Sequence, residues 1–147
     1  MREKLKQYVF LTQTDTIVGF ISQNSTKLTQ IKQRPPHKHY IRAVNSLHLL
    51  KSFTRVPKIH KKRLRHSQKT TFIMPNTCSF RVVKDSHHLL LLNRIDWAYT
   101  TSANLSGNTY DENFSKDATD IIVEPLHNEC TPSRIIKLGK YSLKKIR

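Results

Sequence analysis

Apolar residues along this chain fall in short runs separated by polar turns, and most runs are too short for helices. Tyr8-Val9-Phe10-Leu11 predicts a strand, followed by the polar Thr12-Gln13-Thr14-Asp15-Thr16. Ile17-Val18-Gly19-Phe20 reads as an apolar turn closing this segment. Ser25-Thr26 predicts the cap of a short helix through Ile31, with Leu28 and Ile31 at i, i+3. Arg34-Pro35-Pro36 breaks it, because proline restricts the residue before it and cannot donate to a helix. His39 to Val44 alternates weakly, as a strand does. A helix-like stretch starts at Ser46, and the region around Pro57 predicts another. Strands are predicted at Thr70–Met74, Phe80–Val83, Trp97–Thr100, Ile121–Glu124, Ile135–Leu138 and Tyr141–Ile146, with a helix at Ser86–Leu92. Strands interleaved with short helices imply an α/β domain, residues 1–147, built on a twisted mixed parallel and antiparallel sheet with flanking short helices.

A length of 147 residues allows one core and is short for two. Hydrophobic residues at 37% and charged residues at 24% suit a soluble protein with a modest core. No apolar run approaches the ~20 residues of a transmembrane helix, and MREKLKQYVF lacks the pattern of a signal peptide. A cytoplasmic location without a membrane partner is the expectation. Cys78 and Cys130 lie outside any C-x-x-C arrangement, so neither a disulfide framework nor a zinc site is indicated.

Charge changes the picture most. Twenty-six Lys and Arg against ten Asp and Glu give a net charge of +16. Between Asp15 and Asp85 there is no acidic residue but there are fifteen basic ones, densest in KSFTRVPKIHKKRLRHSQK at 51–69. Lys58, Lys61, Lys62, Arg63 and Arg65 in this run are candidate RNA-binding residues, since such a patch attracts polyanions through counterion release. A solvated helix face has the same composition.

Neither a P-loop nor a Rossmann glycine motif occurs. His37-Lys38-His39 and His87-His88 read as surface histidines rather than a metal site, because adjacent strand residues face opposite ways and their surroundings are cationic. Three polar clusters remain at strand ends: T-Q-T-D-T (12–16), K-Q-R-P-P (32–36) and T-T-S-A-N-L-S-G (100–107). Hydroxyls and backbone amides converging after a strand suit a phosphate or carboxylate, and so do Lys32 and Arg34 beside a turn.

In this order the clusters resemble the YrdC-like threonylcarbamoyl-AMP synthases. The family's P-T-[DE]-T-x-[YF]-G-[LV] segment is matched by Gln13-Thr14-Asp15-Thr16-Ile17-Val18-Gly19-Phe20, and its K-x-R-P by Lys32-Gln33-Arg34-Pro35. Its T-x-x-x-P strand resembles Thr71–Pro75, its V-R-V strand Phe80-Arg81-Val82-Val83, and its S-x-N Ser102-Ala103-Asn104. Pro132-Ser133-Arg134-Ile135 is similar to a P-S-x-I form, and Arg147 looks like the family's final arginine. The matches run from residue 8 to residue 147. Gln13 replaces the family's proline, Val18 its aromatic, and His66-Ser67-Gln68-Lys69 its Trp-Pro-Gly-Pro element.

The resemblance implies a YrdC-like fold with a concave basic face, and a synthase that joins L-threonine, bicarbonate and ATP into threonylcarbamoyl-AMP and pyrophosphate, for N6-threonylcarbamoyladenosine in tRNA. Lys32 and Arg34 would be catalytic, neutralising the triphosphate. ATP would also meet Ser102, Asn104, Ser133 and Arg147, and L-threonine would meet Thr14, Arg81 and Thr101. Mg2+ would arrive with ATP, held by no protein side chain. A downstream tRNA threonylcarbamoyltransferase would consume the product. Two alternatives stay open: a non-catalytic module binding tRNA or double-stranded RNA, and carbamoyl adenylation on another acceptor, as in hydrogenase-maturation proteins.

Overall fold

The computed structural model describes residues 1–127 and 131–147; Cys130 lies outside them. In chain order the elements are α1 (Arg2–Leu5), β1 (Phe10–Gln13), β2 (Val18–Ser22), α2 (Ser25–Lys32), β3 (Ile41–Val44), α3 (Leu47–Phe53) and a 3-10 turn at Lys58–His60. They continue as α4 (Lys61–His66), β4 (Thr70–Ile73), β5 (Ser79–Val82), α5 (Ser86–Ile95), β6 (Trp97–Ser102), α6 (Glu112–Ala118), β7 (Ile121–Val123), β8 (Arg134–Leu138) and β9 (Leu143–Lys145).

The strands form one mixed sheet in the order β7-β1-β2-β6-β3-β5-β4-β8-β9. Pairings β1–β7, β3–β5 and β4–β8 are parallel and the others antiparallel. The segment at Val18–Ser22 is a central strand, not a turn. Every residue of it is buried, so the polar–apolar alternation that marks a half-exposed strand is absent. Two further elements, α1 and α6, have no counterpart in the sequence reading.

Short polar caps start the helices. Asn24, Ser46, Asp85 and Asp111 accept from the backbone N–H three residues on in α2, α3, α5 and α6. The α2 cap thus falls one residue before the predicted Ser25. The helix ends at Gln33 in the left-handed conformation (φ 52°), and Arg34-Pro35-Pro36 follows.

Pairing register assigns each strand residue to a face, because side chains alternate. Thr12, Gly19, Ser102 and Thr100 share one face with Ala43, Arg81 and Thr71, here the front. Leu11, Phe20, Tyr99, Arg42, Phe80 and Phe72 form the back. On the front, α5 packs Leu91, Leu92 and Ile95 onto Phe10, Ile21, Ala43 and Ala98. On the back, Leu28 of α2 packs with Leu11 and Phe20, while Leu50 of α3 and Leu64 of α4 pack with Phe72 and Phe80.

The expectation of surface histidines fails at His88, which has no exposed surface. It sits at the helical spacing of Leu91, Leu92 and Ile95 in α5, so the helix, not a strand, decides its direction. His37 and His39 are exposed.

Candidate functional site

Strand β6 delivers Ser102-Ala103-Asn104 to one end of the sheet, where a loop begins. The Ala103 N–H donates to the Val18 carbonyl at 3.1 Å, tying the loop to β2. Ser102 Oγ donates to Asn104 Oδ1, and Asn104 Nδ2 donates to the carbonyls of Leu105 (2.8 Å) and Asn108 (2.6 Å). Asn104 thus folds the loop around its own amide. Gly107 has φ 83° and open space around it, so backbone conformation rather than crowding requires glycine there.

Lys32, the last residue of α2, closes this loop. It is 3% exposed, and its Nζ donates to the carbonyl oxygens of Ser102 and Asn104, both at 2.8 Å, and to Asn104 Oδ1 at 3.3 Å. Three acceptors match the three N–H bonds of an ammonium. The Ser106 N–H returns a bond to the Lys32 carbonyl (3.0 Å). Burial, and then the neighbouring Arg34 cation, pull Lys32 down to about 8. Arg34 lies against the Tyr40 ring, 4.6 Å from its centroid, and donates to the His39 carbonyl at 2.7 Å. It therefore stands within electrostatic reach of Lys32 but shares none of its hydrogen bonds.

A second group forms around Arg81, which is 5% exposed. Thr71 on the adjacent strand accepts from Arg81 Nη2 (2.9 Å) and Nε (3.3 Å). Arg81 Nη1 donates to Thr16 Oγ1 at 3.2 Å and reaches Asp15 Oδ1 at 3.5 Å. Burial lowers the Arg81 pKa, the Asp15 carboxylate opposes that shift, and Arg147 reinforces it. Arg147 bonds Ser133, with Nε on its carbonyl (3.0 Å) and Nη2 on its hydroxyl (3.3 Å). The Thr131 N–H donates to the Thr16 carbonyl (2.8 Å), which brings this segment over the Thr14–Thr16 turn.

Thr14 organises that turn from within. Thr14 Oγ1 donates to the Ile17 carbonyl at 2.7 Å and accepts from the N–H groups of Thr16 and Ile17. Gly19 joins it to β6: a Cβ there would stand 3.0 Å from the Thr101 carbonyl oxygen and 3.3 Å from Thr14 Cγ2. A side chain there would make the turn or the strand carbonyl give by a few tenths of an ångström.

The structure thus gathers Lys32, Ser102 and Asn104 in one hydrogen-bonded unit. Arg81 is bonded to Thr71 and Thr16, the Arg147–Ser133 pair lies within electrostatic reach of it, and Thr14 meets the Thr16 hydroxyl at 3.3 Å. Thr101 is not brought to the front face. It pairs with Phe20 on the back, whereas Thr100, 6% exposed, occupies the front one step along. Thr16, Asp15, Thr71 and Thr100 complete the front, and sequence reading assigned them no role. Period-2 alternation from Ser102 would have found Thr100, and the antiparallel register opposite Arg81 would have found Thr71. The basic residues Lys58, Lys61, Lys62, Arg63 and Arg65 lie on the back side, where Leu64 anchors α4.

Among the described residues there is no group of three or more His, Cys, Asp or Glu able to hold a metal, and no helix long and apolar enough to cross a membrane.

No protein-family model matches the chain. It is 33% identical over 97 residues to the uncharacterized protein MG259 of Mycoplasma genitalium, a match covering 65% of this chain and 20% of that protein. Among solved structures it is similar to the H234A/Y235A variant of P. abyssi Sua5, with TM-score 0.82 and 16% identity over 99% of this chain and 51% of that one. It is also similar to E. coli YciO, with TM-score 0.73 and 18% identity over 99% of this chain and 85% of that one. MTH1692 of Methanobacterium thermoautotrophicum gives TM-score 0.68 and 21% identity, over 96% and 80%. The chain therefore spans about a fifth of its curated relative and half of Sua5. At these likenesses, a mixed nine-stranded sheet with flanking helices in this order has the Sua5/YrdC-like fold.

Proposed function

We propose that this protein makes threonylcarbamoyl-AMP from L-threonine, bicarbonate and ATP, releasing pyrophosphate, for N6-threonylcarbamoyladenosine in tRNA. The observation that carries the reading is the buried Lys32 ammonium on the Ser102–Asn104 loop, at the end of the strand whose Thr100 shares the front face with Arg81. One of the similar structures, P. abyssi Sua5, was solved with L-threonine (TM-score 0.80).

The chemistry requires positioning and charge neutralisation more than a protein nucleophile. Bicarbonate takes up a proton and loses water to give CO2; the threonine amine attacks that carbon, and its nitrogen releases a proton as the carbamate forms. A carbamate oxygen then attacks the α-phosphorus in line, and pyrophosphate leaves with the electron pair of the broken P–O bond. Lys32 and Arg34 offset the triphosphate charge, with Arg34 swinging from Tyr40 to reach it. Ser102 and Asn104 present hydroxyl and amide to the nucleotide, and Ser133 and Arg147 close over it. Thr14 and Thr100 flank the amino acid. Arg81 takes its carboxylate in place of the long Asp15 contact. ATP enters as its Mg2+ complex, the ion held by phosphate and water oxygens, because the nearby carboxylate, Asp15, already faces Arg81.

The net charge of +16 favours a second reading, an RNA-binding module of the same fold without catalysis. One assay separates the readings: pyrophosphate release from ATP with and without L-threonine and bicarbonate, with carbamoyl phosphate as a further arm. Release that requires both L-threonine and bicarbonate supports the synthase. No release while RNA is retained supports the module, and release with carbamoyl phosphate alone supports the other adenylation.

A further inference from the structure

The basic run is not one uniform patch. Two clefts meet at Ile59, which is 56% exposed. The first, about 380 Å3, is lined by Arg55, Lys58, Lys140 and Tyr141, with prolines at its walls. The second, about 720 Å3, is more open and carries Lys62, Arg63 and Arg134. Among the described residues, neither lining contains an acidic one. Lys61 and Arg65, on the same helix, line neither.

Tyr141 gives the first cleft its character. It is 76% exposed at the turn between β8 and β9, with Lys140 Nζ 5.2 Å from its ring centroid. The turn is held in place: the Gly139 N–H donates to the Ser142 carbonyl (2.9 Å), and buried His60 bonds the Gly139 carbonyl through Nε2 (3.0 Å). Arg63 Nη1 meets His60 Nδ1 at 3.2 Å, so one imidazole fixes a wall of each cleft. An aromatic plane exposed to water, ringed by cations and set on a pinned turn, matches a nucleobase with phosphates on either side. Paired bases hide their faces in the stack, whereas unpaired bases offer them.

The geometry points to a single-stranded polynucleotide site on the back of the sheet, with an unpaired base on Tyr141 and the flanking phosphates on Lys58, Lys140 and the Lys62–Arg63–Arg134 cleft. It is separate from the front-face residues and does not rest on the synthase reading.

The test is fluorescence anisotropy of a short labelled oligouridylate against the full chain, over a range of salt. Tyr141→Ala should weaken binding about tenfold, the loss expected of one base–aromatic stack, with the salt slope unchanged. Tyr141→Phe should keep the affinity. Replacing Lys58 and Lys140 together with Ser should flatten the slope by roughly 0.7 for each phosphate no longer neutralised. The same replacement at Lys38 and Lys84, exposed elsewhere, should leave the slope unchanged. Melting temperatures establish that each variant is folded. The proposal is overturned if Tyr141→Ala binds like wild type, or if a duplex of equal length binds as tightly. It is equally overturned if uridine monophosphate competes as well as the oligomer, or if the distant pair of lysines matters as much as the local one.

Discussion

The ammonium of Lys32 lies 2.8 Å from the carbonyl oxygen of Asn104, a residue 72 positions further along the chain. One side chain at the end of α2 thereby sets the loop after β6, and it couples the protonation of a buried lysine to the shape of the candidate nucleotide site.

The coupling predicts a pH dependence. The folded pKa of Lys32, about 8, is below its ordinary 10.5. The unfolded chain therefore holds this proton more tightly, and stability from this group rises as pH climbs through that interval. Triphosphate binding runs the other way, because it requires the ammonium. Threonine-dependent kcat/KM for ATP should fall on the alkaline side with an apparent pKa near 8. Lys32→Met should lose at least tenfold in kcat/KM and show no such limb. A wild-type profile flat through the alkaline range would remove Lys32 from the phosphate site.

The faces of β6 make a sharper distinction between neighbours. Thr100 is on the front and Thr101 on the back. Thr100→Val should raise the KM for L-threonine severalfold, since a buried hydroxyl contact is worth about 1 kcal/mol. Thr101→Val should leave it unchanged. Steady-state kinetics on the two variants decide the matter, and the reverse result would turn β6 over.

Asp15 is the carboxylate facing buried Arg81 at 3.5 Å. Asp15→Asn should destabilise the free protein by about 1–3 kcal/mol, less than the loss of a close buried pair because the contact is long. It should also enlarge the rise in melting temperature on adding L-threonine, because the ligand carboxylate no longer has a competitor. An unchanged or smaller ligand-induced rise would exclude Arg81 as the carboxylate partner.

His88 is buried, and among the described residues neither of its ring nitrogens has a hydrogen-bond partner. Burial, reinforced by Arg81, holds its pKa at about 4, against an ordinary 6.5. The unfolded chain takes up this proton first, so stability falls as pH drops through that window and the loss is complete below about 4. His88→Leu removes two unsatisfied polar atoms from an apolar helix face. It should be neutral or stabilising by about 1–2 kcal/mol near neutral pH, and should flatten the acid side of the stability curve. Urea titrations at several pH values test it; a strongly destabilised variant would mean that the imidazole has a polar partner in solution.

Much of the order of strands and helices was legible in the chain, β2, α1 and α6 excepted, because period and turn chemistry are local properties. Thr70–Ile73, Ser79–Val82 and Trp97–Ser102 stand out by β-branched and aromatic content between turn residues, and the motif at Ser102-Ala103-Asn104 by its density of polar groups before a glycine. The paired acceptors for Lys32 were not legible, since nothing near residue 32 tells it that residues 102 and 104 will be within reach. Tertiary structure alone decided that Val18–Ser22 is a central strand, because burial on both faces erases alternation. It also drove His88 into the core through the phase of α5, and placed the basic run behind the sheet from Arg81. Each of these depends on which face a neighbour covers, and a face exists only once strands that are distant in sequence have paired.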